Sequence, residues 1–241
     1  DPRVRKAFSL AIDRTYIVNQ VTQSGQVEAG GFVPAGVYDA EGATGDDFRT
    51  VGGDYYKPTD ADYEANCEEA RALLAEAGYE NGEGFPVVEY LYNTSDAHKA
   101  VAEALQYMWE EELGVKVTLN NQEWAAFLQT RKDGDYSIAR NGWIADYNDP
   151  ISFLDMWMTG GGNNDAQYSN EEYDSLIKEA KTTTDVKERM ELLHKAEDKI
   201  IGEDNALAPL YFYTQKYMLA DGIEGMYYCP LGYFFFGYTH Q

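Results

Sequence analysis

The sequence predicts an α/β fold, a central mixed β-sheet flanked by helices. Two observations carry this. Residues 85–142 read strand, helix, strand, helix, strand, the alternation that layers helices on a sheet. Hydrophobic residues make up 44% of the 241, enough apolar surface for one good-sized core or two small ones, and no internal repeat, low-complexity tract or domain boundary interrupts them.

The elements follow in order. Asp1 and Pro2 read as N-cap and first helical position, and Val4, Phe8 and Ala11 or Ile12 fall at helical spacing behind them. A second helix runs from Asp13 through Ile17, Val18 and Val21 and stops near Gly25. Residues 26–58 are rich in glycine and turn formers, and predict a long loop of the kind that is functional or mobile in compact domains. Residues 59–79 predict a helix ending at Gly78, with Cys67, Ala70 or Arg71, and Leu74 on its inner face. "FPVVEYLYN" is a strand. The next helix is capped by Thr94 or Ser95, turns Val101, Leu105, Met108 and Trp109 inward, and meets Gly114 just past its end. "VKVTLNNQ" alternates like a strand, "EWAAFLQTRKDG" is a short helix, and "DYSIARNG" a further strand.

After Pro150 come a helix, "ISFLDMWM", and "TGGGNND", which reads as a flexible turn. Two capped helices follow, one from Ser169 with Glu172 set for a capping box, the other from Asp185 with Glu188 three on. The end of the chain is aromatic and strand-like.

Charge narrows the function classes. Lys and Arg total 19 against 42 Asp and Glu, a formal net charge of −23. Such a surface repels phosphate backbones and anionic headgroups, which argues against nucleic-acid and membrane-surface binding. No apolar run approaches the roughly 18–20 residues of a membrane span. The opening "DPRVRKAF", without Met and straight into a helix signal, is expected of a piece of a longer protein. Cys67 and Cys229 form either one disulfide or two buried thiols, with thiols favoured.

Catalytic and cofactor patterns are hard to find. His98, His194 and His240 form no metal pair at helical spacing; His194 sits mid-helix, solvated or packed, and His240 is expected in a disordered tail. There is no GxSxG, no phosphate loop and no cofactor motif. An acidic hydrolase stays a minor alternative, since among 42 carboxylates some pair always looks suggestive.

What remains is binding chemistry. Arg131 and Arg140 stand nine apart, with Trp124 before them and Trp143 after. A guanidinium near the end of a buried strand needs a partner. Arg140 therefore has two readings, an internal ion pair or a contact to a ligand. Asp146 either caps the turn in "DYNDP" or stands free for a ligand, and both tryptophans have a core reading beside a binding one.

The ordered segments "RVRKAFSLAIDR", "YNTSDAHK", "NNQEWAAFLQTR", "ARNGWIADYNDPISFL", "QYSNEEYDSLI", "ERMELLHKAEDKI" and "PLYFY" tie these residues together. The chain resembles the peptide-binding family of extracellular solute-binding proteins that feed ABC importers, above all the oligopeptide-binding proteins, over essentially its whole length. The resemblance implies one lobe of a periplasmic-binding-protein-like fold of type II. Residues 1–241 would be the C-terminal lobe, with the other lobe in a missing N-terminal part. Two such lobes close on an extended peptide by a hinge motion.

The implied contacts are specific. Asp146 pairs with the peptide ammonium. The main chain of Gly142 and Ile144 hydrogen-bonds to the peptide as an added strand. Arg140 helps to hold the ligand carboxylate, His98 and Arg131 occupy pocket positions near the carboxyl end, and Trp124 and Trp143 wall the pockets. Ile144 stands where some relatives carry a cysteine, so a disulfide there is not expected. The implied partners are an oligopeptide, the permease subunits of an ABC transporter and the missing lobe, with no cofactor. The implied location is the outer face of the cell membrane, through a lipid anchor, or the periplasm. Dipeptides, oligosaccharides or metal chelates are the alternative ligands within the family, and a sensor without a transporter is a further alternative.

Overall fold

The computed structural model describes residues 1–56, 60–229 and 232–241. Lys57 and Pro58 of the predicted loop, Thr59 at the predicted helix start, and Pro230 and Leu231 of the aromatic end lie outside the described residues.

Asp1 caps α1 (Pro2–Leu10) by accepting the Arg3 N–H at 2.9 Å, and Phe8, Ala11 and Ile12 are buried as their spacing predicts. Asp13 caps α2 (Arg14–Tyr16), which runs on as a π-helical turn over Ile17–Thr22. The turn stops at Gln23, left-handed at φ 47°, ahead of the predicted stop at Gly25. Arg14 is buried. Carbonyls of Ser9, Ile12 and Pro209 satisfy its guanidinium, which lies 4.2 Å from the centroid of the Tyr56 ring.

The region read as a long loop holds β1 (Val27–Glu28), a 3-10 turn at Gly42–Thr44 and α3 (Phe48–Gly52). Side-chain bonds order it. Asp47 caps α3 by accepting the Thr50 N–H at 2.8 Å and takes the Gly36 N–H at 2.7 Å.

In α4 (Asp60–Glu76), Cys67, Ala70 and Leu74 are buried, while Arg71 turns aside to Glu112 at 2.6 Å. Both cysteines are free thiols, and burial pushes the Cys67 thiol up to about 11. Then come β2 (Val88–Asn93), α5 (Asp96–Leu113), β3 (Val117–Gln122), α6 (Trp124–Asp133) and β4 (Ile138–Ala139). The strands pair in the order β3–β2–β4, both pairs parallel, with Tyr90 opposite Leu119 on one side and Ile138 on the other. The central β2 is buried at Val88, Tyr90, Leu91, Tyr92 and Asn93, the two-faced burial of a parallel strand. Helix α5 buries Val101, Leu105, Met108 and Trp109, as predicted, and ends at Gly114, which takes the left-handed φ of 67° that glycine adopts freely. The Trp109 indole N–H donates to the Phe8 carbonyl at 2.8 Å and fastens α5 to α1.

Beyond α7 (Ile151–Leu154), the glycine-rich turn is fastened by Asn164, whose buried amide donates to the carbonyls of Trp157, Met158 and Tyr168. The N-cap of α8 (Glu171–Thr182) is Asn170 rather than Ser169. Its side chain accepts both the Glu172 and Tyr173 N–H groups, so Glu172 sits one residue short of a capping box. Asp185 caps α9 (Val186–Glu197) at the Glu188 N–H, as predicted. His194 is packed: it stacks on Phe48 with ring centroids 3.9 Å apart, and its Nε2 lies 2.8 Å from Asp39.

The aromatic end supplies β5 (Tyr211–Phe212), which pairs antiparallel with β1, and β6 (Tyr227–Cys229), which pairs antiparallel with β7 (Tyr233–Phe235). The mixed character predicted for the sheet thus resolves into a parallel central sheet and separate antiparallel ribbons. His240, predicted in a disordered tail, exchanges two main-chain hydrogen bonds with Glu224 at 2.9 and 3.0 Å.

One buried ion pair joins the long N-terminal region to α9. Glu197 is fully buried; its carboxylate takes both Arg49 Nη groups at 2.8 and 2.9 Å and the N–H groups of Phe32 and Val33 at 2.8 and 2.9 Å. Removing one charge of such a pair costs about 3–5 kcal/mol, and Arg49 would keep only the half-exposed Asp54 carboxylate, 3.6 Å from its Nε. Glu197→Gln is expected to lose stability in that range in a urea unfolding experiment; a loss below about 1 kcal/mol would remove this pair as the anchor of the region.

Candidate functional site

Parallel strands carry their following loops to one edge of the sheet, and ligands of α/β folds gather at that carboxyl edge. Here β2 ends at Asn93 and leads into α5, with His98 in its first turn. β3 ends at Gln122 and leads into α6, which opens with Trp124. β4 ends at Ala139 and runs on through Arg140, Gly142, Trp143 and Ile144 to Asp146. Arg131, in the last turn of α6, reaches the same segment: its Nη1 donates to the Asn141 side chain at 2.9 Å and to the Arg140 carbonyl at 3.4 Å. The topology therefore brings the predicted residues to one edge, in three groups.

The first group centres on Arg140. Its main-chain N–H donates to the Leu91 carbonyl at 2.9 Å and extends the pairing of β4 with β2. Its guanidinium donates to the Asn93 side-chain oxygen at 3.2 Å and the Tyr213 hydroxyl at 3.3 Å, both neutral. Among the described residues no carboxylate lies within ion-pair distance of it, so the internal ion pair left open by the sequence is not made there. Burial and then the charge of Arg140 hold His98 below the ordinary imidazole value, against the opposing pull of the Asn93 main chain. His98 Nδ1 is enclosed, with the Asn93 main chain beside the ring.

The second group is Arg131, Trp124 and Phe127. Arg131 makes the internal ion pair, 2.7 Å to Asp165, and its guanidinium lies 5.1 Å from the centroid of the Phe127 ring. Trp124 stacks on the same Phe127, with centroids 5.8 Å apart, and is 53% exposed. Arg131 thus fixes the segment after β4, and Trp124 offers an aromatic face to solvent.

The third group is the segment 142–148. The Trp143 indole N–H donates to the Ser152 carbonyl at 2.7 Å, and the Asp146 N–H to the Ser152 hydroxyl at 2.8 Å. Trp143 packs partly against the core. Ile144 is 74% exposed, and among the described residues nothing hydrogen-bonds to the main chain of Trp143 or Ile144. The Asp146 carboxylate is exposed and makes no ion pair among the described residues. The turn-capping role open to it falls to Asp149, which accepts the Ile151 N–H at 2.9 Å and is gripped by both Nη groups of Arg189 at 2.9 Å. Asn148 ties the segment to the long N-terminal region, accepting the Tyr38 N–H at 2.8 Å and donating to the Gly36 carbonyl at 3.1 Å.

Arg140 and Asp146 do not pair with each other. Each is left without an opposite charge of this chain among the described residues, at either end of a main-chain segment with unused hydrogen-bonding groups. Asn93, Tyr213, Ser152 and Asn148 complete the arrangement. The first two lie inside "YNTSD" and "YFYTQ", but their partnership with Arg140 spans 47 and 73 residues and has no sequence signal. Among the described residues no group of three or more His, Cys, Asp or Glu is placed to hold a metal ion.

The family model for bacterial extracellular solute-binding proteins, family 5, matches residues 1–165. The chain is 38% identical over 232 residues to the dipeptide-binding protein DppE of Bacillus subtilis, covering 95% of this chain and 40% of that one. It is 38% identical over 225 residues to the periplasmic oligopeptide-binding protein OppA of Salmonella typhimurium, covering 93% and 39%. The substrate-binding domain of an oligopeptide ABC transporter from Bacillus anthracis superposes with a TM-score of 0.82 at 30% identity, over 100% of this chain and 45% of that one. The chain thus spans about two fifths of the length of the curated relatives it matches.

The Ser152 hydroxyl holds the Asp146 main chain without belonging to the core of the sheet. Ser152→Ala is expected to speed hydrogen exchange at the Asp146 amide at least about tenfold while global stability falls by no more than about 1.5 kcal/mol. An unchanged exchange rate at that amide would show that Ser152 does not set the position of Asp146.

Proposed function

The chain belongs to the bacterial extracellular solute-binding proteins of family 5, and from that premise we propose that residues 1–241 are one lobe of a longer protein that captures oligopeptides for an ABC importer. The observation that carries the reading is the segment from Arg140 to Asp146. It continues a β-strand beyond its last rung, keeps the main-chain groups of Trp143 and Ile144 free, and carries at its two ends charges of opposite sign without charged partners among the described residues.

Main-chain hydrogen bonds recognise any peptide, because every residue except proline offers the same N–H and C=O. Ile144 supplies them here, together with the carbonyl of Gly142, whose N–H donates to the Asn141 side chain at 2.8 Å. Asp146 neutralises the peptide ammonium, and Arg140, with His98 beside it, receives a carboxylate. Trp124 and Trp143 wall the side-chain pockets, where water fills the gaps that different side chains leave. Arg131 supports the segment through Asp165 and Asn141 and acts on the ligand through that support. Family members bind solutes rather than transform them, and this site holds the peptide without cleaving it.

The remaining lobe, the transporter's permease subunits and a site of action outside the cytoplasm, by lipid anchor or in the periplasm, belong to the same proposal. The relatives include one named for dipeptides and one named for oligopeptides at equal identity. Peptide length is therefore tested rather than assumed.

Asp146→Ala leaves a buried ammonium unpaired in the closed complex, at about 2–5 kcal/mol, and is expected to weaken peptide binding at least about tenfold. The measurement is calorimetric titration of the full-length protein with di- to pentapeptides, free and N-acetylated. Free peptides bind and acetylated ones do not if Asp146 holds the ammonium. Equal affinity of the two forms, or of the variant, would overturn that role, and binding of a sugar or chelate in place of peptides would overturn the ligand class.

A further inference from the structure

Two asparagine–glycine pairs occur in the chain, Asn81–Gly82 and Asn141–Gly142. Such a pair carries a latent reaction, because the glycine nitrogen can attack the asparagine's own side-chain amide and no Cβ obstructs the approach. The outcome depends on how the fold holds the two groups, and here it holds the two pairs in opposite ways.

At Asn81–Gly82 the reaction is shut out. The Gly82 N–H is committed to the Tyr79 carbonyl at 2.9 Å, and Asn81 sits at a left-handed φ of 52° inside a 3-10 turn (Glu80–Gly82). A Cβ on Gly82 would collide with the Gly114 carbonyl, so the turn is wedged against the end of α5 and its main chain has no room to rotate.

At Asn141–Gly142 the reacting groups are brought together. Both residues are exposed, and the Gly142 N–H donates to Oδ1 of Asn141 itself at 2.8 Å. The nucleophile is thus held against the amide it would attack, the placement that makes intramolecular reactions fast. Arg131 Nη1 donates to the same Oδ1 at 2.9 Å and polarises the amide carbonyl. Arg140 Nη2 lies beside Gly142, 3.4 Å from where a Cβ would stand. Two guanidinium groups therefore border the site, and both favour negative charge on the attacking nitrogen and on Oδ1.

We propose that Asn141 is a self-modification site: it closes to a succinimide through the Gly142 nitrogen and reopens as aspartate or isoaspartate, which disables the segment from Arg140 to Asp146. Hydroxide removes the Gly142 amide proton, and the nitrogen forms a bond to Asn141 Cγ. The oxyanion that develops at Oδ1 is held by Arg131. The bond from Cγ to Nδ2 then breaks, and ammonia leaves with a proton from water. A water molecule adds to one of the two ring carbonyls. Opening gives aspartate with the original backbone, or isoaspartate with the main chain routed through the former side chain. The sum is one water consumed and one ammonia released, with no oxidation or reduction.

The loss of binding rests on the peptide-binding reading above; the modification itself does not. Either product sets a new carboxylate beside Arg131 and Arg140, and so gives Arg140 the internal opposite charge that the fold had withheld. Isoaspartate also adds a methylene to the main chain between Arg140 and Gly142, which displaces the free groups of Trp143 and Ile144 from their register with β4.

The test starts with full-length protein held in warm, mildly alkaline buffer, sampled over time and mapped by peptide mass spectrometry with fragmentation that separates aspartate from isoaspartate. Asn141 should convert at least about tenfold faster than Asn81. Gly142→Ala should slow conversion at Asn141 by at least about tenfold; the added Cβ meets only the movable end of Arg140, so the variant has room to fold. Equal rates at the two pairs, or an unchanged rate in Gly142→Ala, overturn the inference. If Gly142→Ala does not fold, the comparison of Asn141 with Asn81 in the unaltered protein decides alone. Calorimetry with tri-, tetra- and pentaalanine then compares fresh and aged samples. Protein converted at Asn141 should bind at least about tenfold more weakly, and aged Asn141→Gln should match its own fresh sample. Full affinity in the converted protein overturns the disabling role. Absence of peptide binding in fresh protein overturns the peptide-binding reading instead, while conversion at Asn141 is still decided by mass.

Discussion

A fully buried carboxylate is the constraint on which much of this molecule turns. Glu197 sits at the end of α9 where no water can reach it, and its oxygens need partners of the right number and direction. Arg49 and the main chain of Phe32 and Val33 supply them, and in doing so they fix a glycine-rich region against a helix about 165 residues later in the chain. Gly31 is required there by space: a Cβ on it would collide with the Arg49 guanidinium. The Asp39–His194 contact and the stacking of Phe48 on His194 add a second seam along the same boundary. From this region the Asn148 bonds to Gly36 and Tyr38 pass the constraint to the segment that carries Asp146. The Asp146 carboxylate is exposed, yet the segment that carries it is tied back, through Asn148, to the region that the buried charge pair holds.

The other end of the same segment is set by the parallel sheet. Arg140 continues β4 for one more hydrogen bond to β2, and the chain then leaves the ladder with the main-chain groups of Trp143 and Ile144 unused among the described residues. The two arginines of this region have divided their tasks. Arg131 is committed to Asp165 and to the segment's own main chain, and Arg140 is committed to nothing charged among the described residues. A lysine could not serve as well at either place, because each arginine spreads several directed donors over two or more acceptors.

Much of the fold was legible because it depends on local periodicity. The inward faces of α4 and α5, the caps at Asp1, Asp13 and Asp185, the glycine after α5 and the alternation of strand and helix over 85–142 all follow from neighbours a few residues apart. Strand ends are marked in the same way, and so Arg140 and Asp146 could be placed at one edge. Long-range bonding was not legible. The order in the region after Gly25 comes from Glu197 and Asn148, more than a hundred residues away, and nothing in the composition of that region announces it. The ion-pair question for the two arginines was equally hidden: with 42 acidic residues available, sequence cannot say which arginine will find one. At α8 the error was smaller and physical, since Asn170 and Ser169 can both cap a helix and the asparagine does so.

The two cysteines differ in a way that matters at the bench. Cys67 is shut inside α4's packed face, its thiol pushed up to about 11, whereas Cys229 lies on the half-buried β6 ribbon. Thiolate is the reactive form, so alkylating reagents at neutral pH discriminate against Cys67. A single maleimide dye or spin label would then report from the aromatic ribbon of the natural sequence. With a second probe placed elsewhere by design, distance changes within this chain become measurable with Cys67 left in place.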